Sequence, residues 1–553
     1  MTTPNDTTNY IFPFCSGANI TAPDPSRMGI KGANLAEMAQ LNMPVPPGFV
    51  VSVALGKNIA SGDNTLAPSE REAVRNAILL IEKEMGRSFG GENKPLLVSV
   101  RSGASVSMPG MMDTVLNLGL NSKTVKALAK ETGDERFAWD TYRRFVQSFA
   151  QVVLGLELDE FEVILEEMRN RNNVDADAEL PASALKEIAS VFLEIVEQIT
   201  GAPFPQDAHE QLDLALLAVF NSWNTKRATR YRDIQAIPHD GGTAAVIQAM
   251  VFGNRNEQSC TGVYFTRNPS TGEKKPYGEY MLNAQGEDVV SGIRTPMELT
   301  EADRARALSD NPSMEKFLPE AFDHLIAAGT SLEIHFGDMQ EIEFTVESGR
   351  LFLLQTRNGK RTPKAGLRVA VEMAQEKVIT KEQAVERCDM SSLSAMLVSR
   401  VEPTDDAVMV TKGLPASPGA ATGQIVFTSD EAVAFREAGK DCILVRPETD
   451  PKDIHGMYAA TGILTTRGGM TSHAAVVARG MGKPCITAAM TLKIDLANQI
   501  CSCAGKILAA GDIITIDGVS GIVHQGPQPI VIPEADGELA LLLSWKDELS
   551  SEN

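Results

Sequence analysis

One stretch, residues 465–480, constrains this chain more than any other. It joins a glycine pair, Gly468 and Gly469, to Met470, Thr471, Ser472 and a lone His473, and then to an apolar, helix-forming run that begins at Ala474. Glycines let a backbone turn sharply and lie close against another group, and Thr or Ser ahead of such a run predicts an N-cap. The stretch therefore predicts a tight turn opening into a helix, with the imidazole in its first turn. Unpaired N–H groups and the helix dipole favour anions there. A neutral imidazole, with an ordinary pKa of about 6.5, is a competent nucleophile. That arrangement suits a histidine that carries phosphate; the plainer reading of the same residues is a histidine that only packs beside a helix.

A chain of 553 residues is expected to divide into several domains, since single cores stop growing at about 250 to 300 residues. Hydrophobic residues make up 43%, and Asp plus Glu exceed Lys plus Arg by 72 to 51. The acidic balance argues against nucleic acid or anionic lipid as a partner. No run of about 20 apolar residues is present, and residues 1–13 are polar, so neither a membrane span nor a signal peptide is expected and the compartment read from the sequence is the cytoplasm. The seven cysteines are scattered and read as reduced, packed thiols. Cys501 and Cys503 lack a second pair nearby for zinc.

By pattern, residues 1–358 mix helical and strand-like segments, among them an amphipathic helix over 137–154. Residues 359–408 read as a helical linker, with Leu367, Ala370, Val371, Ala374 and Val378 on one face and a capping box at Thr380 and Gln383. Residues 409–527 form a compact, β-rich region ending in strands 513–516 and 522–524 around the Asp517-Gly518 turn. Residues 528–553 make a tail with one short helix. The fold class expected is mixed α+β and α/β, in several domains.

Something must load His473. No G-x-x-x-x-G-K-[ST] loop and no G-x-G-x-x-G is present, so a P-loop or Rossmann enzyme is not expected. Lys31, in Gly29-Ile30-Lys31-Gly32, and Arg101, ending an apolar strand, are candidate phosphate ligands. The small-residue loop 102–114 could lie over phosphates and exclude water. In the segment 338–344, Glu341 and Glu343 alternate with apolar residues, which on a strand points both to one face.

From 462 to 483 the chain resembles, almost residue for residue, the phosphohistidine signature of the pyruvate phosphate dikinase family, and from 31 to 361 it is similar to that family's N-terminal ATP-grasp region. The resemblance implies an ATP-grasp nucleotide-binding domain over 1–358 and a β-rich swivelling phosphohistidine domain over 409–527; Pro403, Gly413 and Pro415 on one side, with Pro527, Pro529 and Pro533 on the other, are compatible with linkers that hinge. It implies that Lys31 and Arg101 bind nucleotide phosphates, that Glu341 and Glu343 hold Mg²⁺, and that Gln355 and Arg357 add polar contacts. Glu341 stands where the family usually carries Asp. Arg467, Gly468, Gly469, Thr471 and Ser472 would support the phosphohistidine, and Thr471 matches a threonine that a regulatory kinase modifies in plant members.

The activity implied is ATP- and phosphate-dependent phosphorylation of His473, with release of AMP and pyrophosphate. The family's full enzyme adds a (β/α)₈ barrel for phosphoenolpyruvate and pyruvate. Such a barrel needs about 250 residues, far more than follow Pro527, so the expected acceptor site lies on a separate chain or is an unrelated acceptor. The alternatives are a nucleotide-binding regulatory module without turnover and a fragment of a longer dikinase.

Overall fold

The computed structural model describes residues 10–15, 21–106, 108, 112–290, 295–388, 399–531 and 537–551. It divides into two compact units, Met1–Val251 with Phe352–Gln355, and Phe252–Leu351 with Thr356–Asn553.

In the first unit, five antiparallel strands run in the order Ile11–Pro13, Gly48–Val51, Thr243–Ala249, Val98–Ala104, Thr114–Leu118. Every residue of Thr243–Ala249 is buried, as a central strand covered on both faces must be. The helix Pro25–Gln40 starts on Asp24, whose carboxylate accepts the Ser26 N–H at 2.9 Å. It breaks at Gly29, where φ is 67°. A Cβ at Gly29 would collide with the Gly103 carbonyl, so this glycine lets the helical turn carrying Lys31 sit against the end of the strand Val98–Ala104. The helix expected over 137–154 spans Glu135–Val152, capped by Asp134, and buries Phe145 and Phe149 against Phe204. Of the loop expected over the phosphates, residues 107 and 109–111 lie outside the described residues.

In the second unit, one sheet has the order Met297–Glu298, Tyr277–Leu282, Cys260–Phe265, Gln340–Glu347, Arg350–Asn358. The linker contains the helix Pro363–Gln375, which buries Leu367, Val369, Ala370, Val371 and Met373, and the helix Lys381–Arg387, whose capping box is formed through both Thr380 and Gln383. The last helix, Gly537–Ser551, sets Leu542 and Trp545 into the same core as these helices and the sheet residues Val263, Phe265 and Met281. Arg267, fully buried, pairs with Glu333 of the helix Pro319–Phe336 at 2.9 Å and with the linker residues Glu372 at 2.7 Å and Glu376 at 3.1 Å.

Between those helices lies an eight-stranded mixed sheet, in the order Met409–Lys412, Ile522–Gln525, Ile513–Asp517, Ala420–Val426, Cys442–Arg446, Gly462–Thr465, Cys485–Thr487, Leu414–Ser417. The expected hairpin is there, with Asp517 opposite Ile522 and its carboxylate accepting the Val519 N–H at 2.9 Å. The region is β-rich, as expected, with a parallel core inside it. Four successive strands, from Ala420–Val426 through Cys485–Thr487, are parallel and are linked by the helices Ser429–Glu437, Ile454–Ala459 and His473–Gly480. Cys442–Arg446 and Gly462–Thr465 are continuous buried runs, the pattern of strands sandwiched by helices. Gly413 and Pro415 are not linker residues. Gly413 donates its N–H to the Gly521 carbonyl at 2.9 Å, and Pro415 pairs with Ile486 inside the sheet.

Candidate functional site

The parallel core places His473. Open α/β sheets present ligand-binding groups in the loops beyond the carboxyl ends of their strands. Arg446 and Thr465 are register partners at those ends, so the loops that follow them run side by side. Thr449, from the first loop, meets His473, from the second: its hydroxyl is 3.1 Å from Nδ1. His473 is the first residue of the helix His473–Gly480. Its Nε2 is buried and has no hydrogen-bond partner. With Nδ1 engaged, Nε2 is the ring atom left to act as nucleophile. Burial lowers the imidazole pKa, opposed by Asp450 and Asp453, which favours the neutral, nucleophilic form.

The turn before His473 does not cap the helix as its sequence suggests. Ser472 occupies the N-cap position, yet its side chain makes no capping bond and its hydroxyl is buried without a partner. Thr471 turns instead to Glu279, on the strand Tyr277–Leu282. One Glu279 oxygen accepts the Thr471 N–H at 3.0 Å and the Thr471 hydroxyl, and the other accepts the Met470 N–H at 3.0 Å. A Cβ at Gly469 would meet this carboxylate and force it to shift. Burial raises the Glu279 pKa, while its bonds from Thr471 and Met470 and the charge of Arg479 act the other way. Arg479, also buried, ties the turn from behind through the Met470 carbonyl at 2.6 Å and the Ala416 carbonyl at 2.8 Å. Gly468 takes the left-handed φ of 89°, and Arg467 pairs with Glu448 at 3.2 Å on the exposed side.

Of the residues expected at nucleotide phosphates, three lie in the first unit. Arg101 donates to the Gln355 side chain at 2.9 Å and to the Leu354 carbonyl at 3.0 Å, so this predicted pair is in direct contact. Lys31 lies beside Gly103 at the end of the same strand as Arg101. The other three lie in the second unit. Glu341 and Glu343 are both on the strand Gln340–Glu347 and share a face, as their alternation predicts. Arg357 pairs with Glu341 through Oε1, while Glu341 Oε2 is buried and without a partner. An orphaned carboxylate oxygen with a second carboxylate on the same face fits a hard, oxygen-seeking cation such as Mg²⁺. Among the described residues, no group of three or more His, Cys, Asp or Glu is arranged for a metal.

Two functional residues escaped the sequence reading, Thr449 and Glu279. Thr449 lies 24 residues from His473 and Glu279 lies 192 from Thr471, and neither stands in a motif with its partner.

Comparison with known proteins bears on this geometry. Residues 67–318 and 301–378 match the family model described as pyruvate phosphate dikinase, AMP/ATP-binding domain. Residues 438–521 match that described as PEP-utilising enzyme, mobile domain. The chain is 52% identical over 539 residues to a pyruvate, phosphate dikinase of Rhizobium meliloti, covering 97% of this chain and 60% of that protein. It is 46% identical over 525 residues to one of Entamoeba histolytica, with 94% and 58% covered, and 45% identical over 525 residues to pyruvate, phosphate dikinase 2 of Zea mays, again with 94% and 58%. The chain thus spans about three-fifths of the length of these relatives. Among the described residues, no helix is long and apolar enough to cross a membrane.

Proposed function

The chain belongs to the pyruvate phosphate dikinase family, and we propose that it is an ATP- and phosphate-dependent phosphotransferase that phosphorylates its own His473. In this reading ATP and inorganic phosphate are consumed, AMP and pyrophosphate leave, and the β-phosphoryl group of ATP remains on Nε2 of His473. From there it passes to an acceptor such as pyruvate, which the relatives' names include. Thr449 orients the ring, and the lowered imidazole pKa keeps the lone pair available. Lys31, Arg101, Gln355 and Arg357 position and neutralise the phosphates, which is most of what phosphoryl transfer requires. Glu341 and Glu343 would hold Mg²⁺, which supplies further charge neutralisation when bound.

The observation that carries this reading is the bare Nε2 of His473, with Nδ1 fixed by Thr449, at the carboxyl edge of a parallel sheet. The test is incubation with ATP labelled at the β-phosphate, inorganic phosphate and Mg²⁺. Label that is acid-labile and base-stable, and absent from His473→Gln, is expected. Label that persists in His473→Gln refutes the assignment, whereas nucleotide binding without any label favours a binding module without turnover.

A further inference from the structure

The helices Asp159–Asn172 and Ala182–Thr200 are held side by side by Phe161 and Phe192, both fully buried, whose rings meet edge to face at 4.8 Å. On their solvent side they leave a groove of about 330 Å³, lined by Val163, Ile164, Val191 and Ile195 with Glu160 and Glu194 among them. On each helix these positions follow i, i+3, i+4, the spacing of one face. Val163 stands 52% exposed, and covering such an apolar face removes it from water. Residues 157–200 carry twelve Asp and Glu against three Lys and Arg. All three cations are already engaged: Arg169 with Asp177 at 2.6 Å, Arg171 with Glu187 at 2.7 Å and Lys186 over the Trp139 ring at 5.6 Å. Among the described residues, no cation pairs with Glu160 or Glu194. The groove therefore joins an apolar surface to uncompensated negative charge, which attracts cations and repels acidic chains. A second copy of this chain, with 72 acidic against 51 basic side chains, carries the wrong net charge to be its occupant.

We propose that this groove docks a cationic amphipathic helix of a partner protein, its apolar ridge seated on Val163, Ile164, Val191 and Ile195 and its flanking Lys or Arg opposite Glu160 and Glu194. Two packed helices offer a furrow that the side-chain ridge of a third fits, and such a furrow recognises a helix through apolar anchors at i, i+3 and i+4. Along the longer helix the lining runs from Val191 to Gln198, about 10 Å or two turns. The contact is small, so the complex is weak, with a Kd of about micromolar order. The two carboxylates set the sign of the partner and make its binding fall with salt.

The test follows the fluorescence anisotropy of a labelled amphipathic helical peptide of Leu and Lys as the full chain is added. Two controls accompany it, the same peptide with Glu in place of Lys and a scrambled peptide of equal composition with no apolar face. Binding of the Lys peptide that weakens about tenfold in Val163→Asp and about fivefold in Glu160→Gln/Glu194→Gln, with little binding of either control, supports the proposal. All three substituted side chains are exposed, so an unchanged melting temperature separates lost docking from lost folding. Should the aspartate lower that temperature, Val163→Ala replaces it, with a loss of about threefold expected. No binding of the Lys peptide overturns the proposal, as does affinity that the Val163 variants leave unmoved or equal binding of the scrambled peptide, which is charge attraction without a groove. Self-association of the chain that Val163→Asp abolishes assigns the groove to a second copy, and displacement of the peptide by hexylammonium at like concentration assigns it to a small apolar cation; either result overturns the helix.

Discussion

Replacing Glu279 by Gln is expected to loosen the turn that carries His473. The wild-type carboxylate accepts from three donors, the Met470 N–H and Thr471 N–H at 3.0 Å each and the Thr471 hydroxyl. A glutamine keeps the shape but turns one acceptor oxygen into an NH₂ group, which then faces a donor. At least one charge-assisted bond is lost, at about 1.5–3 kcal/mol, and a backbone N–H is left buried and unsatisfied. A net loss of about 2–3 kcal/mol raises the population of the open turn roughly 30- to 150-fold. Amide hydrogen exchange reads this directly, because Glu279 is the acceptor for the Met470 and Thr471 amides. Their exchange should accelerate by that factor, while amides of the central strand Cys442–Arg446 stay protected. Exchange at Met470 and Thr471 within twofold of wild type would refute the reasoning.

Other perturbations follow from the same geometry. Thr449→Val removes the hydroxyl 3.1 Å from His473 Nδ1 and should slow labelling of His473 by roughly tenfold, the worth of one orienting hydrogen bond, with Thr449→Ser recovering most of it. Arg267→Met leaves Glu333, Glu372 and Glu376 without their shared cation, and breaking a buried pair costs about 3–5 kcal/mol, to be read as a lower urea midpoint. Gly29→Ala places a methyl against the Gly103 carbonyl at a positive φ and should weaken nucleotide binding by displacing Lys31, as measured by calorimetry. Burial lowers the His473 pKa from 6.5, so the acid limb of labelling against pH should lie below 6.5. By the same linkage, the contribution of the neutral ring to stability is present above 6.5 and is lost as pH falls through the lowered value.

Local signals in the sequence fared better than long-range ones. The helix Glu135–Val152 and the capping box at Thr380 and Gln383 depend on residues three or four apart, and both formed. The pairing of Glu341 with Glu343 on one strand face needed only a period of two. The parallel core of the His473 sheet was not legible, because strands buried on both faces lose the alternation that marks a strand. The turn at Thr471 and Ser472 shows a local rule overruled. Their side chains are good helix caps in isolation, but a buried carboxylate 192 residues away offers Thr471 a charge-assisted acceptor, roughly twice as strong as a neutral one. The close approach that glycine permits at 469 is made here to Glu279.

That substitution of partners has a physical logic. Two backbone N–H groups and a hydroxyl converging at a turn form a receptor for an anion of any kind, and a carboxylate and a phosphate oxygen satisfy it equally well. In this structure Glu279 holds those donors, so they are closed to a phosphoryl group on His473. Under the proposed function, a phosphoryl group on Nε2 would bring negative charge to the turn that already holds a buried carboxylate, and in such a low-dielectric site like charges repel strongly. Phosphorylation and the Glu279 contact therefore oppose each other. A carrier loaded with phosphate would be released from the strand that grips the empty one, a direction of movement that follows from charge alone.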